Sequence, residues 1–191
     1  MPPKAKFRKE QIIAAGLEIV RHEGIECLTA RNLGKKLGSS ACPIFTVFSN
    51  MEEVQLEVKK ATKTLYGEYI KRGLQEVPAF KGVGTQYILF ALQEPKLFQL
   101  LFMVEQEKKP TMSTILPMID DNYESILKSI EDGYHLSKET ALRIYRHLWI
   151  YTHGIAVLCA TNLCAFTKEE ISQMMSEEFL GIWKEVVGEK I

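Results

Sequence analysis

Between Thr29 and Val54 the chain reads TARNLGKKLGSSACPIFTVFSNMEEV, a run that sets cations and short polar side chains around a glycine. Arg31, Lys35 and Lys36, with the Thr29 hydroxyl, are groups that bind phosphate oxygens, and Lys6 and Arg8 upstream can add to them. Past Gly38 come Ser39, Ser40, Ala41, Pro43, Phe45, Thr46 and Val47, with no Arg, Lys, Asn or Gln between Ser39 and Ser49. Such a set lacks the forked donors that read guanine or adenine; it offers hydroxyls, apolar contact with thymine methyls and sensitivity to groove shape. The chemistry expected of this stretch is therefore contact with duplex DNA, held mainly through its backbone.

These groups need elements to hold them. Thr29 is a side-chain acceptor at the start of a helix whose apolar face is Ala30, Leu33 and Leu37, and Gly38 stands where a positive φ ends that helix. A second helix is predicted from Ser39 or Ser40, burying Ile44 and Phe48, with Phe45 buried at the edge of that face. Pro43 falls in its first turn, where the missing N–H has no intrahelical partner to lose. Ser49 and Glu52 have the spacing of a capping box that opens a third helix. Upstream, Ile12, Ile13, Gly16, Leu17 and Val20 share one face of a helix ending at Gly24. Helices in this order form a helix-turn-helix head, whose second helix enters a major groove while its neighbours clamp phosphates.

Charge is distributed in keeping with that reading. The whole chain is formally neutral, yet residues 1–48 carry a net +4, so the remainder carries −4. A basic end on an acidic body suits a protein that presents one face to phosphate. Residues 1–5 read as a short disordered arm with no apolar stretch of the kind that marks a signal peptide. Cys27, Cys42, Cys159 and Cys164 show no C-x-x-C pair and no metal-like spacing with a histidine, as expected of a reduced, cytoplasmic chain with no metal or other cofactor. The uncharged run 148–166 includes Thr152, His153, Gly154, Thr161 and Asn162, which favours a buried helix in a bundle over a membrane span.

The rest of the chain is periodic at helical spacing, and no segment alternates with period two for long enough to make a sheet. Helices are predicted over 50–73, 79–93, a short one from Pro95, 112–131, 138–163 capped by Ser137, and 168–187. The last opens on a Thr167–Glu170 capping box and bears the stripe Ile171, Met174, Met175, Phe179, Ile182, Trp183 and Val186. The fold class is all-α, with a DNA-binding domain over 1–49 and a ligand-binding and dimerisation domain over 50–191. Aromatic and methionine side chains crowd the second part, and Tyr87, Phe90, Phe102, Met118, Tyr123, Trp149 and His153 are the candidates to line an apolar pocket. Asp120 and Asp121 are placed on a solvated helix surface. No nucleophile elbow, phosphate loop or Ser/His/Asp motif is present, so an enzyme is not expected.

The run Ile13-Ala14-Ala15-x-Leu17, Gly24, Thr29-Ala30-Arg31-Asn32-Leu33, Leu37-Gly38-Ser39-Ser40 and Ile44-Phe45-x-x-Phe48-Ser49-Asn50 resembles the tetracycline-repressor-like family of bacterial regulators over about the first 55 residues. Downstream, Tyr87-Ile88-x-Phe90-Ala91-x-x-x-Pro95-x-Leu97-Phe98-x-Leu100-x-Phe102 and Trp149-x-x-x-His153-Gly154 look like the effector-binding and dimerisation module of a subset of that family marked by a Trp-His-Gly signature. The resemblance implies a ligand-responsive transcriptional repressor that binds a pseudo-palindromic operator as a homodimer, with a small apolar or aromatic effector. Two positions depart from the family pattern: Val47 stands where an aromatic or His phosphate contact is common, and Met51 where a Lys usually opens the next helix. These departures keep open an alternative, a helical small-molecule sensor or partner-binding protein with weak or lost DNA binding.

Overall fold

The computed structural model describes residues 6–105 and 109–188, so the arm expected at 1–5 lies outside the described residues. All regular structure among them is helical. The chain forms two compact units: one of residues up to Leu65 with Lys96–Val104, the other of Tyr66–Pro95 with the chain from Glu105 onward. The division falls inside the helix Met51–Leu74, not at its start.

In the first unit, α1 (Lys9–Glu23) ends at Gly24, φ 93°, and α2 (Ala30–Lys36) begins at Thr29, whose Oγ1 accepts from the Asn32 N–H at 3.2 Å. The buried face of α1 is Ile12, Gly16, Ile19 and Val20, while Ile13 and Leu17 of the predicted face are only half-buried. Gly16 is where α1 meets α3 (Met51–Leu74): a Cβ there would lie 2.8 Å from Val58 Cγ2. Gly38, φ 63°, makes the turn after α2, as its lack of a Cβ allows.

The segment that follows corrects the predicted second helix. Instead of an α-helix from Ser39 or Ser40 there is a 3-10 turn of five residues, Cys42–Thr46. Its bonds run from Ile44 N to Ala41 O and from Val47 N to Ile44 O, both 3.0 Å, and the Thr46 hydroxyl adds one to Pro43 O at 2.7 Å. Pro43 supplies no N–H to a longer ladder, and Ile44, Thr46 and Val47 are β-branched, so a tight short turn is the form this sequence supports. Ile44 and Phe48 are buried as expected, whereas Phe45 is 46% exposed. The capping of α3 is also shifted by one residue: Asn50 Oδ1 accepts from Glu53 N at 2.9 Å and the Glu53 carboxylate accepts from Ser49 N at 2.8 Å, in place of the Ser49–Glu52 pair.

The second unit takes the last turns of α3 and adds α4 (Ala79–Gln93), α6 (Ile115–Ile119), α7 (Tyr123–Tyr134), α8 (Lys138–Ala160) and α9 (Lys168–Val186); between α4 and α6 the chain runs through α5 (Pro95–Phe102), nearly all of it in the first unit. α8 is the axis of this unit, packed against α4, α7 and α9. Its core includes Ile88, Ile155, Cys159 and Ile171, with Phe166 and Met174 against them. Ser137 and Thr167 cap α8 and α9, Thr167 in a capping box with Glu170. α8 stops three residues before the predicted end, where Asn162 adopts φ 54°. The single helix expected over 112–131 is two, broken at Asp120, whose backbone is extended (φ −129°, ψ 114°). No helix among the described residues is long and apolar enough to cross a membrane.

Candidate functional site

The first unit carries a polar surface built on α2 and the turn after it. Gly34 fixes the approach of the two, since a Cβ there would lie 2.9 Å from Ser40 C and 3.0 Å from Ala41 N. An open hollow results, edged by Arg31, Lys35, Ser39 and Ser40. Ser40, Phe45 and Thr46 are exposed, and Ser39, Ala41, Pro43 and Val47 half-buried. The Thr29 hydroxyl oxygen accepts from the Asn32 N–H as the α2 cap and keeps its O–H to donate, whereas the Thr46 hydroxyl donates to Pro43 O and keeps acceptor capacity on its outer side. Lys9 pairs with Glu57 at 3.4 Å and Arg21 with Glu18. Arg8, Arg31, Lys35 and Lys36 are exposed and have no carboxylate partner among the described residues, and Lys6 donates to Ser39 Oγ at 3.0 Å. Cations left without carboxylates on an open, hydroxyl-bearing surface can each displace a counterion from a phosphate.

The second unit encloses a cavity of about 270 Å³. Tyr66 comes to it from α3, Tyr87 from α4, Asp120 from the break before α7, Tyr145 and Trp149 from α8, and Met175 from α9. Asp120 is 5% exposed. Its Oδ2 accepts from the Tyr66 hydroxyl at 2.5 Å, and its Oδ1 accepts from Asn122 N at 2.8 Å and Asn122 Nδ2 at 3.1 Å. These bonds explain the helix break, because a buried carboxylate that serves a turn N–H cannot also lie on a solvated helix face; the surface placement of Asp120 is overturned. Burial, and after it the Asp120 charge, pushes the phenols of Tyr66, Tyr87 and Tyr145 upward, so all three stay neutral donors. A hydrogen bond with the Trp149 side chain works in the opposite sense on Tyr87.

Of the residues expected to line a pocket, Tyr87 and Trp149 do so. His153 stands behind them: its Nδ1 is 2.9 Å from the Tyr87 hydroxyl and its ring is stacked on Trp149 at 5.3 Å, with burial holding its pKa below the usual value. Tyr123 stacks on the cavity residue Tyr145 at 6.0 Å without lining the space itself. Phe90 is fully buried core, 5.5 Å from Tyr66 and 5.2 Å from Tyr69. Phe102 belongs to the first unit, against Phe98, and Met118 is 44% exposed; neither lines the cavity. Sequence reasoning missed Tyr66, Tyr145 and Asp120. The Asp120-Asp121-Asn122 cluster after Pro117 was a turn signal that could have pointed to the last. Among the described residues no group of three His, Cys, Asp or Glu side chains could hold a metal ion.

Residues 80–176, which hold α4 to α8, the start of α9 and most of the cavity wall, match the family described as tetracyclin repressor-like, C-terminal domain. Over most of its length the chain is similar to the uncharacterized HTH-type transcriptional regulator YobS of Bacillus subtilis strain 168, at 22% identity over 175 residues, covering 89% of this chain and 87% of that protein.

Proposed function

The chain belongs to the tetracyclin repressor-like C-terminal domain family, and from that premise we propose that it is a ligand-responsive transcriptional repressor that binds a pseudo-palindromic operator as a homodimer. That it is a DNA-binding transcriptional regulator follows from the family and from the relative's name; the repressor role, the effector and the dimer are our reading. The observation that carries it is the presence in one chain of an outward surface whose cations have no carboxylate partner among the described residues and of a mainly aromatic cavity in the family-matched region. Residues 1–49 bind DNA in this reading, and residues 50–191 bind effector and dimerise. Arg31, Lys35 and Lys36 hold phosphates, and Phe45, Thr46 and Ser40 face base edges and thymine methyls.

The dimer uses α8 and α9, where Ile150 is 52% exposed and Ile182 half-buried, as a four-helix bundle about a two-fold axis. Such a dimer spaces its recognition segments about 34–36 Å apart, one turn of the duplex. The effector is small and apolar or aromatic and acts by differing in affinity between two states; a 100-fold difference gives roughly 2.7 kcal/mol of coupling. The protein works in the cytoplasm. Trp149, His153 and Gly154 support reading it as one of the Trp-His-Gly subset.

The test is a gel shift of the purified protein on DNA flanking its own gene, repeated at several salt concentrations and with a small-molecule panel. Salt-dependent retardation that a panel compound alters supports the reading. Absence of retardation on any duplex at low salt favours a sensor without DNA binding, the alternative suggested by the short, uncharged recognition turn with Val47 and Met51.

A further inference from the structure

Asp120 is a buried carboxylate that faces an apolar cavity and is held there by neutral donors alone. Its partners are the Tyr66 hydroxyl and two N–H groups of Asn122. No Lys, Arg or His among the described residues pairs with it. Lys81, a cationic side chain on the cavity wall, is exposed, and the nearby His153 is held toward its neutral form by burial. Three bonds leave one acceptor position of the carboxylate open, in a space lined mainly by aromatic and aliphatic side chains, with Lys81, Thr152 and Ser176 among the few other polar ones. Tyr66, Phe80, Tyr87, Tyr145, Trp149 and Phe179 all contribute to that wall. A negative charge deep in a low-dielectric pocket is costly without a counter-charge, and ring faces attract cations.

We propose that this cavity takes a small lipophilic cation, an aromatic amine or quaternary ammonium compound, with Asp120 as its counter-charge and the faces of Tyr66, Tyr145 and Trp149 about the charged group. The proposal rests on the reading of the cavity as the effector site and names the chemical class of that effector. An anion meets the carboxylate's repulsion in a space whose one lining cation, Lys81, is solvent-exposed. A neutral hydrocarbon fills the volume but leaves the carboxylate as it stands. A sugar brings more hydroxyls than these apolar walls can satisfy. The cavity volume of about 270 Å³ suits a ligand of roughly ten to fifteen non-hydrogen atoms.

The experiment titrates the full chain with three probes that share one ring: benzyltrimethylammonium, its uncharged carbon isostere neopentylbenzene, and phenylmethanesulfonate. Binding is followed by tryptophan fluorescence and by calorimetry. The cation is expected to bind at least about tenfold more tightly than the isostere, and the sulfonate not at all. Asp120→Asn should bring cation and isostere to equal affinity. Tyr66→Phe, which removes a neutral partner and leaves the carboxylate in place, should keep or widen the preference, and it decides the matter if the Asn variant does not fold. An isostere or sulfonate that binds as tightly as the cation, or a preference that survives Asp120→Asn, overturns the charge assignment while leaving the cavity as an effector site. Failure of every probe to bind a folded protein that still retards DNA overturns the cavity reading and this proposal with it.

Discussion

In the first unit Arg31, Lys35 and Lys36 face outward with no carboxylate partner among the described residues, whereas in the second the polar groups face inward and are bonded, Asp120 to Tyr66 and Asn122, and Tyr87 to His153. The outward cations hold no structure together, so they are free to meet phosphate, and changing one should alter binding more than stability. The inward groups brace α3, α4, α8 and the turn before α7 at once, so each change there touches both the shape of the cavity and the stability of the unit. The difference teaches where function and fold can be separated by mutation and where they cannot.

The sharpest way to break the comparison is through glycines where backbones touch. A Cβ on Gly82 would strike the Gly73 carbonyl oxygen and lie 2.6 Å from Glu76 Cβ, so α3 and α4 cannot keep their approach. Gly82→Ala is expected to cost about 2–3 kcal/mol by denaturant unfolding and to abolish cavity binding. Gly34→Ala, whose Cβ meets the backbone of Ser40 and Ala41, should cost somewhat less and abolish DNA binding while probes of the cavity still bind. If both variants lose both activities together, the units do not behave separately.

Next in size is the apolar stripe of α9, which the structure splits in two. Trp183 is 9% exposed and packs on Tyr134 at 5.5 Å and Phe179 at 5.7 Å, so it is core, and Trp183→Glu should unfold the unit. Ile182 is half-buried within the chain. If the proposed dimer uses this face, Ile182→Glu should leave the helical content of the subunit unchanged by circular dichroism and weaken dimerisation by about a hundredfold, a charge being buried only in the dimer. Sedimentation that finds intact dimers for this variant moves the interface elsewhere.

Arg31 tests the other side. It is exposed and has no carboxylate partner among the described residues, so Arg31→Ala should leave stability alone, weaken duplex binding by roughly three- to tenfold at low salt, and lower the salt slope by about one on every sequence. Thr46→Ala should change sequence preference instead, since its hydroxyl oxygen retains acceptor capacity beyond its bond to Pro43. An unchanged slope for Arg31→Ala removes that residue from the DNA surface.

How legible each region was follows from the range of the interactions that shape it. The Thr29 cap, the Gly38 turn, the Ser137 cap and the Thr167–Glu170 box are settled within four residues, and each stands where the sequence placed it. The recognition turn was misjudged because its length depends on a balance between Pro43, the β-branched neighbours and an i→i−3 ladder that helical periodicity does not register. The cavity was only half legible: Tyr87 and Trp149 were found through their motif, but Asp120 looks like any solvated acid until Tyr66, 54 positions away, is seen to donate to it. Phe90 and Phe102 show the reverse error, since helical spacing marks a buried face without saying whether core or cavity lies beyond it.

The smallest effect concerns His153, which stands behind the cavity wall and separates bracing from ligand contact. Its ring accepts or donates at Tyr87 and stacks on Trp149, and burial lowers its pKa from 6.5. Tyr87 keeps its proton because its own pKa is raised, so its hydroxyl donates to His153 Nδ1 in the neutral tautomer that carries its proton on Nε2. A histidine with a depressed folded-state pKa is protonated first in the unfolded chain. Its contribution is therefore complete above pH 6.5 and is lost as pH falls through that value toward the lower pKa of the folded state. His153→Asn has no such proton to gain. At pH 8 the variant should be less stable than the natural chain by about 0.5–1 kcal/mol, for the weakened Tyr87 bond. The gap should narrow as the pH is lowered below 6.5, because the natural chain alone is then penalised. Unfolding curves at pH 8, 6.5 and 5 measure it, and a gap that stays constant or widens toward acid shows that His153 takes up its proton in the folded protein as readily as in water.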